Sequence, residues 1–517
     1  MLTVNNGKET DWANMPLDEM AFGNAMDCKF TLRAYREMRP KMKSMKVDKV
    51  YDGILKDILL TMAQMENRGI KFDVAYLDEL DSILVEEIET LSTKLNDLSP
   101  VKDFNPNSTL DLAGVLFTSE GFDLQPEIFS KVNKLPSITE EHLDKLRVKT
   151  KNDEAKEFIE TLLKYKTRIK QHKTYVIGVR KSVDWNEEPR IYSQYNFSTV
   201  VTGRLSCSTP NVKVRELNDK NKYVNKEYKK GVSFHTLPRP SADDPVNIRK
   251  LMVAEEGKAF IAADYATAEL RVLAQCCQDP NLIKAFTEGQ DLHKYTASLI
   301  YGKTIDDITK EERQIAKSVS FLIVYGGGPH KLSQQVGKDL GYCKGIFADY
   351  SRAFPNVFSW IKKGRKKIMS DGYATSLFGR RRHLKNVNSP SRAHQERALR
   401  QGMNFIIQSS ASDLMLHGIQ RVKKYSNHLG LDLELLASVH DSVEVQCNIG
   451  DIKKVSELLK YCLQSTQDLP SLYGFDFVVP FEVDIEVGKS FGDVIEATFT
   501  EEGVLTNNSE LTNYVQN

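Results

Sequence analysis

Apolar residues recur along this chain at two spacings, and the change from one to the other marks out its elements. Leu77, Leu80, Leu84, Ile88, Leu91, Leu95 and Leu98 stand three or four apart, and Pro100 ends the run. That spacing predicts a long helix whose seam packs on one partner helix. A second long helix is predicted from about Asp153 to Lys181. Others are predicted over 20–38, over 50–72 with Gly69 as its stop, after the Asn107-Ser108-Thr109 cap through Phe117, and over 392–420. The other regime is strand-like. Ala259-Phe-Ile-Ala-Ala263 is a continuous apolar run ending on Asp264, the pattern of a buried strand. Arg190 to Val201 reads first as a strand and then turns at Thr202-Gly203-Arg204. Leu433 to Gln446 is a hairpin candidate around the polar centre His440-Asp441-Ser442. Residues 213–246, rich in Lys and Asn, read as an inserted loop, and the last twenty residues as a poorly ordered tail.

Composition narrows the class. A length of 517 residues suggests about three domains. The charge balance, 71 Lys and Arg against 70 Asp and Glu, is near neutral, so any footprint for a polyanion must be local. Seven cysteines without a Cys-x-x-Cys pair argue against structural zinc and a disulfide framework, and fit a reducing compartment. The N-terminus lacks the pattern of a signal peptide, and no apolar run approaches the roughly 20 residues that span a bilayer. The expectation is a cytoplasmic protein with no membrane partner.

Several groups of residues carry candidate chemistry. Asp264 is a carboxylate at the end of a buried strand, costly unless it meets a cation or donors; a helix N-cap explains it equally well. Asp441 is a second acid in a β-context, open to the same turn or capping reading. Arg313, Lys317, Phe321 and Tyr325 sit four apart, on one slowly winding stripe of a helix that Gly326-Gly327-Gly328-Pro329 stops. Two cations followed by two aromatics suit a nucleoside triphosphate; an ordinary amphipathic helix with surface cations is the plain alternative. Asp291-Leu-His293 precedes a further helical segment, and Arg400, Asn404 and Gln408 share a helix face. Lys164, Lys166, Arg168, Lys170, Lys173, Arg180 and Lys181 form a basic run with no acid among residues 164–181. It fits either a solvated face or a track for a phosphate backbone.

Taken in order, these pieces resemble the polymerase region of family A DNA polymerases, the bacterial DNA polymerase I and bacteriophage type. Asp264-Tyr-Ala-Thr-Ala-Glu269-Leu-Arg271 is similar to its first catalytic motif. Arg313-x3-Lys317-x3-Phe321-x3-Tyr325-Gly326 is similar to its nucleotide-binding helix, and Val439-His440-Asp441 to its second catalytic motif. Thr202-Gly203-Arg204-Leu205-Ser206, Phe378-Gly379-Arg380-Arg381 and Arg400-x3-Asn404-x3-Gln408 match in order, and the resemblance covers roughly residues 50 to 495.

The resemblance implies an α+β right-hand fold with an antiparallel palm sheet, helical fingers and a helical thumb. Residues 1–48 would be a remnant of an exonuclease-like domain and 49–188 the thumb with its connections. The palm would take 189–271 and 401–497, the fingers 272–400, and a flexible tail 498–517. It further implies template-directed addition of deoxynucleoside triphosphates to a primer by two-metal phosphoryl transfer. Two Mg²⁺ ions would sit on Asp264, Asp441 and the carbonyl of Tyr265. Arg313, Lys317 and His293 would hold the triphosphate, with Lys317 also protonating pyrophosphate. Tyr325 would stack near the templating base, Glu269 would block a 2′-hydroxyl, and Phe321 in place of Tyr implies poor use of dideoxynucleotides. Arg204, Gln408 and His440 would probe the primer terminus, Arg400 and Asn404 a DNA strand, and Lys166, Arg168 and Lys170 the duplex phosphates.

Departures temper the match. Ser442 follows Asp441 where the family usually has Glu, and Glu444 is near but out of register. The implied consequence is a rate effect. Asp27 alone cannot hold two metals, so the expectation is no proofreading by this polypeptide, with a separate exonuclease chain as a partner, and a leaning towards a bacteriophage replicase. The competing readings are a single-subunit RNA polymerase, against which Glu269 argues; an inactive primer-template-binding protein, against which the paired Asp264 and Asp441 argue; and a metal-dependent nuclease, which leaves the triphosphate stripe without a task.

Overall fold

The structure, a computed structural model, describes residues 15–130, 135–182, 189–209, 211–217, 223–229, 231–239 and 244–517, with backbone alone for 211–217 and 223–229. Its centre is an eight-stranded antiparallel sheet. The strands are β1 (Ile70–Phe72), β2 (Arg190–Ile191), β3 (Met252–Val253), β4 (Lys258–Tyr265), β5 (Leu433–Val439), β6 (Ser442–Asn448), β7 (Val483–Ser490) and β8 (Asp493–Glu496). Their order is β5-β6-β4-β7-β3-β1-β2, with β8 on β7.

Register sorts the side chains of the three middle strands. Opposed residues of an antiparallel ladder share a face. Val443, Ala263 and Ile485 therefore line up on one face, followed by Val445, Ile261 and Val487. That face is buried in the largest apolar cluster, with residues of the long helix Arg392–Leu429 and of Ile452–Gln464. Burying each such side chain stabilises by roughly 1.5–3 kcal/mol. The Tyr265 hydroxyl donates to the Leu463 carbonyl at 2.6 Å and ties the end of β4 down to the helix. The opposite face carries Ser442, Asp264 and Asp484 in one row and Glu444, Ala262 and Glu486 in the next. Carboxylates crowd it at one end.

Helices flank the sheet. Among them, in chain order, are α1 (Leu17–Ser44), α2 (Lys56–Arg68), α3 (Val74–Leu98), α4 (Asp153–Gln171), α5 (Ala268–Cys277), α6 (Leu292–Tyr301), α7 (Lys310–Val324), α8 (Arg392–Leu429), α9 (Ile452–Gln464) and α10 (Asn508–Gln516). α2 stops at Gly69 (φ 63°), as its sequence predicts; a Cβ there would meet the Tyr192 ring at 2.7 Å. The leucine seam packs α3 on α4, with Leu77, Leu80, Leu84 and Leu95 fully buried and Ile88, Leu91 and Leu98 partly so. α7 starts on a capping box, Thr309 with Glu312.

Two expectations are corrected. The loop expected over 213–246 contains an antiparallel hairpin, Asn211–Leu217 with Tyr223–Lys229, followed by a 3-10 turn at Phe234–Thr236. Val232, Phe234, Leu237 and Val246 are buried beside β4 and β5, so sparse apolar residues anchor a polar stretch. The expected tail is also ordered. α10 buries Leu511 and Val515, and Phe499 bridges Leu505. Two apolar residues four apart suffice for one helix face, which a polar composition conceals.

Candidate active site

The site begins where β4 ends. Asp264 is its penultimate residue, and β5 and β6 close beside it through a two-residue turn, His440–Asp441, between the paired residues Val439 and Ser442. His440 takes the left-handed conformation that such a turn demands (φ 59°). The Tyr265 N–H donates to the Asp441 carbonyl at 3.2 Å and fixes the tip of the turn to the end of β4. Both acids thus reach the same end of the sheet. The capping alternative for Asp264 is set aside, because α5 begins four residues later, after its N-cap Thr267 in an unusual left-handed conformation (φ 53°).

Each acid faces an arginine. Arg239 Nη2 lies 3.4 Å from Asp264 Oδ2, and Arg204 Nη2 donates to Asp441 Oδ1 at 2.5 Å. Burial raises the Asp264 pKa, and nearby Asp441 and Asp484 add to this against Arg239. Burial likewise raises Asp484 and Glu486, and pushes Glu444 up to about 8. This face holds more negative charge than its arginines balance. Among the described residues no three His, Cys, Asp or Glu side chains converge as a ready-made metal cage. Two adjacent carboxylates at the rim of an acid-rich face are nonetheless a donor set that suits hard divalent cations.

Beside Asp441 a polar network forms around Glu269. This carboxylate is only 5% exposed. Arg204 Nη2 lies 3.3 Å from its Oε1, Gln408 Nε2 donates to the same oxygen at 3.4 Å, and the Tyr325 hydroxyl hydrogen-bonds it. Oε2 has no partner among the described residues. Burial raises the Glu269 pKa, and burial with Glu269 alongside pushes Tyr325 up to about 12. Arg204, Glu269, Tyr325, Gln408 and Asp441, scattered over 237 positions, therefore meet.

A second cluster lies up α7. Arg313 Nε donates to Asp291 Oδ2 at 2.9 Å, while the other oxygen of Asp291 caps α6 by accepting the N–H groups of His293 and Lys294. The His293 ring is 6.0 Å from that of Phe321, and its Nδ1 is buried without a partner among the described residues. Burial and then Lys317 and Arg313 lower its pKa to about 4, so the ring is neutral at pH 7. Lys317 makes no ion pair among the described residues. A rise of 1.5 Å per residue puts Lys317 about 12 Å along α7 from Tyr325. The stripe thus runs from an anion-seeking cluster to the acid-rich end of the sheet.

The family model for DNA polymerase family A matches residues 74–493. The chain belongs to this family. It is 30% identical over 459 residues to the thermostable DNA polymerase I of Thermus filiformis, covering 89% of this chain and 50% of that protein. It is 28% identical over 491 residues to the DNA polymerase I of Borreliella burgdorferi, covering 94% and 49%. The chain spans about half the length of the curated relatives it matches. The POL domain of Pol1 from M. smegmatis, solved in complex with DNA primer-template and dNTP, superposes with a TM-score of 0.74 at 25% identity, over 88% of this chain and 72% of that one. The α+β architecture is thus that of a family A polymerase domain.

Within that family A frame, Arg400, Asn404 and Gln408 do share a face of α8. The Arg400 stem crosses Gly326 (φ 67°), where a Cβ would come within 2.9 Å of it. Asn404 Oδ1 is buried without a partner among the described residues. The basic run of α4 divides. Lys170 is exposed. Lys166 donates to the Ile138 carbonyl at 2.8 Å, and burial lowers its pKa. Arg168 corrects the expectation of a phosphate contact: it is buried and paired with Glu87 and Asp244, the latter at 2.7 Å. Glu87 and Asp244 come from distant segments that no local charge count reveals.

Residues the sequence reading passed over also enter. Arg239 meets Asp264, and Asp484 and Glu486 extend the acidic face; the alternation Val483-Asp-Ile-Glu-Val487 is a period-2 signal that could have found the last two. Arg380 is paired with fully buried Asp413, its Nη2 donating to Oδ1 at 2.5 Å, and passes so close to Gly203 (φ 78°) that a Cβ there would lie 2.6 Å from it. That pair holds the turn presenting Arg204.

Proposed function

We propose that this chain is a DNA-directed DNA polymerase that adds deoxynucleoside triphosphates to a primer 3′-hydroxyl under template direction. One observation carries the reading. Asp264 and Asp441 meet beside the Glu269 network, and α7 runs from that point to the Arg313–Lys317–His293 cluster. The length of α7 that separates the two charge clusters suits a substrate with a sugar and base at one end and a triphosphate at the other.

Two Mg²⁺ ions held by Asp264, Asp441 and the Tyr265 carbonyl would neutralise the charge that develops in phosphoryl transfer. The remaining work falls to side chains. Arg313 and Lys317 bind the triphosphate oxygens by charge-assisted hydrogen bonds. His293, neutral at pH 7, adds an uncharged N–H donor. Lys317 gives a proton to the departing pyrophosphate. Glu269 stands where a 2′-hydroxyl would need room and selects deoxy sugars by exclusion. Phe321 in place of Tyr disfavours dideoxynucleotides. Tyr325 stacks near the templating base. Arg204, Gln408 and His440 read the minor-groove acceptors that nearly all base pairs share, which senses geometry without sequence. Arg400 and Asn404 contact a DNA strand, and Lys170 with Lys166 the duplex phosphates.

In this reading 49–188 forms the thumb, 189–271 and 401–497 the palm, and 272–400 the fingers. The supporting comparison is the M. smegmatis domain, whose structure holds primer-template and dNTP. Primer extension in Mg²⁺ by the wild-type chain, lost in Asp441→Ala with DNA binding retained, is the expected result. No extension by a wild type that binds primer-template would overturn the reading. Degradation of a mismatched 3′ end in Mg²⁺ without nucleotides would show that the described residues also proofread, which we do not assign to them.

A further inference from the structure

The family's usual glutamate after the second catalytic aspartate is Ser442 here, and the structure offers a replacement. We propose that Glu444 is a positioning residue for Asp441, acting through Ser442 to brace the two-residue turn that presents the catalytic carboxylate. The proposal concerns how the Asp441 turn is held, and its link to catalysis rests on the polymerase reading above.

Residues 442 and 444 project to the same face of β6, because strand side chains alternate. Ser442 stands opposite Asp264, and Glu444 opposite Ala262. Ser442 Oγ is 2.9 Å from the Val439 carbonyl, across the base of the turn, and 2.5 Å from Glu444 Oε1. A hydroxyl has one hydrogen to give. If it goes to Val439, the contact with Glu444 is a hydrogen bond only when the carboxyl carries its own proton and donates to Oγ. The surroundings favour that form. Glu444 is 1% exposed, its Oε2 has no partner among the described residues, and Phe260, Ala262, Leu436 and Val439 are buried in the cluster alongside. An ionised carboxylate with one bare oxygen in such a place is far costlier than a neutral acid. Glu444 then donates to Ser442 and Ser442 to the Val439 carbonyl, a hydrogen-bonded chain that pins both ends of the turn. The groups facing this chain are Asp264 and Glu486 from the neighbouring strands and Arg249, whose guanidinium lies over the Phe491 ring at 4.5 Å.

The test uses Glu444→Gln, which keeps a neutral hydrogen-bonding group, and Glu444→Leu, which keeps volume alone. Two readouts are taken: single-turnover primer extension, separating kcat from the nucleotide KM, and Mn²⁺ binding to the protein–DNA complex by electron spin resonance. Loss of a partner that orients a metal ligand typically costs about 10–100-fold. Glu444→Leu and Ser442→Ala should each lower kcat and Mn²⁺ affinity by about 10-fold, with KM little changed. Their double variant should be no worse than either alone, and Glu444→Gln should stay within about 3-fold of wild type. Equal losses in Glu444→Gln and Glu444→Leu would overturn the proposal, because an ionised carboxylate would then be what matters. Additive losses in the double variant would overturn it too. Should Glu444→Leu fail to fold, Ser442→Ala carries the same readouts. Mn²⁺ binding tests the turn even if the wild type extends no primer, which separates the two failures.

Discussion

The acid-rich end of the sheet and the basic stripe of α7 are opposite in charge and opposite in construction. The first gathers Asp264, Asp441, Glu269, Glu444, Asp484 and Glu486 from β4, α5, the β5–β6 hairpin and β7, and burial is the main cause that raises the pKa of Asp264, Glu269, Glu444, Asp484 and Glu486. The second takes Arg313, Lys317 and Phe321 from one helix, with His293 and Asp291 from the helix start beside it. There the His293 ring is driven the other way, to about 4, because burial and two cations disfavour its charge. One region demands cations and the other demands anions. Each is incomplete alone, and the metal-bound triphosphate of the proposed reaction would answer both.

Breaking the acidic side should have the largest effect. Asp441→Ala is expected to lower single-turnover primer extension by about 10³-fold, with primer-template affinity, read by fluorescence anisotropy, unchanged within about 2-fold. Loss of binding in parallel would mean that the turn is structural.

The basic side makes a pH prediction. His293 has a folded pKa of about 4, below its unfolded value near 6.5. Between these values the unfolded chain binds more protons, so stability rises with pH through this window. The contribution is complete above about 6.5 and drains as pH falls to about 4, reaching an upper bound of about 3 kcal/mol. Denaturant melts at pH 4.5 and 7 should differ less in His293→Gln than in wild type. An unchanged difference would show that His293 is not the buried neutral group that completes the basic cluster.

Lys317→Ala should reduce kcat/KM for the nucleotide by about 10²-fold while leaving DNA affinity intact, since the proposed role of the lysine is at the triphosphate alone. A change in DNA affinity instead would assign the stripe to the template. Least in size, Glu269→Ala should cut discrimination against ribonucleotides by about 10-fold in competition assays. Unchanged selectivity would confine Glu269 to its ties with Arg204 and Tyr325.

Much of the site was legible. The helix period placed Arg313, Lys317, Phe321 and Tyr325 on one stripe, and Arg400, Asn404 and Gln408 on another. The apolar run into Asp264 and the hairpin around His440-Asp441 were read as strands and are strands. The failures have a common cause. Arg168 shares a basic helix run, yet the partners that bury it lie 81 and 76 residues away. α10 looks like a polar tail until Leu511 and Val515 find a surface to cover. Glu444 looks out of register beside Asp441 until Ser442 is seen to bridge it.

Which side chains share a face, where helices stop and which motif residues stand in order can be read from the chain alone. These follow from backbone period and turn chemistry, which act over a few residues. Tertiary structure decided which face is covered and by what. It set Asp264 opposite Ser442 and Asp484 and brought Arg204 to Asp441 across 237 residues. It also gave Glu444 an apolar wall. Desolvation and charge pairing depend on neighbours supplied by strand register and distant loops, so the roles of those acids exist only in the folded chain.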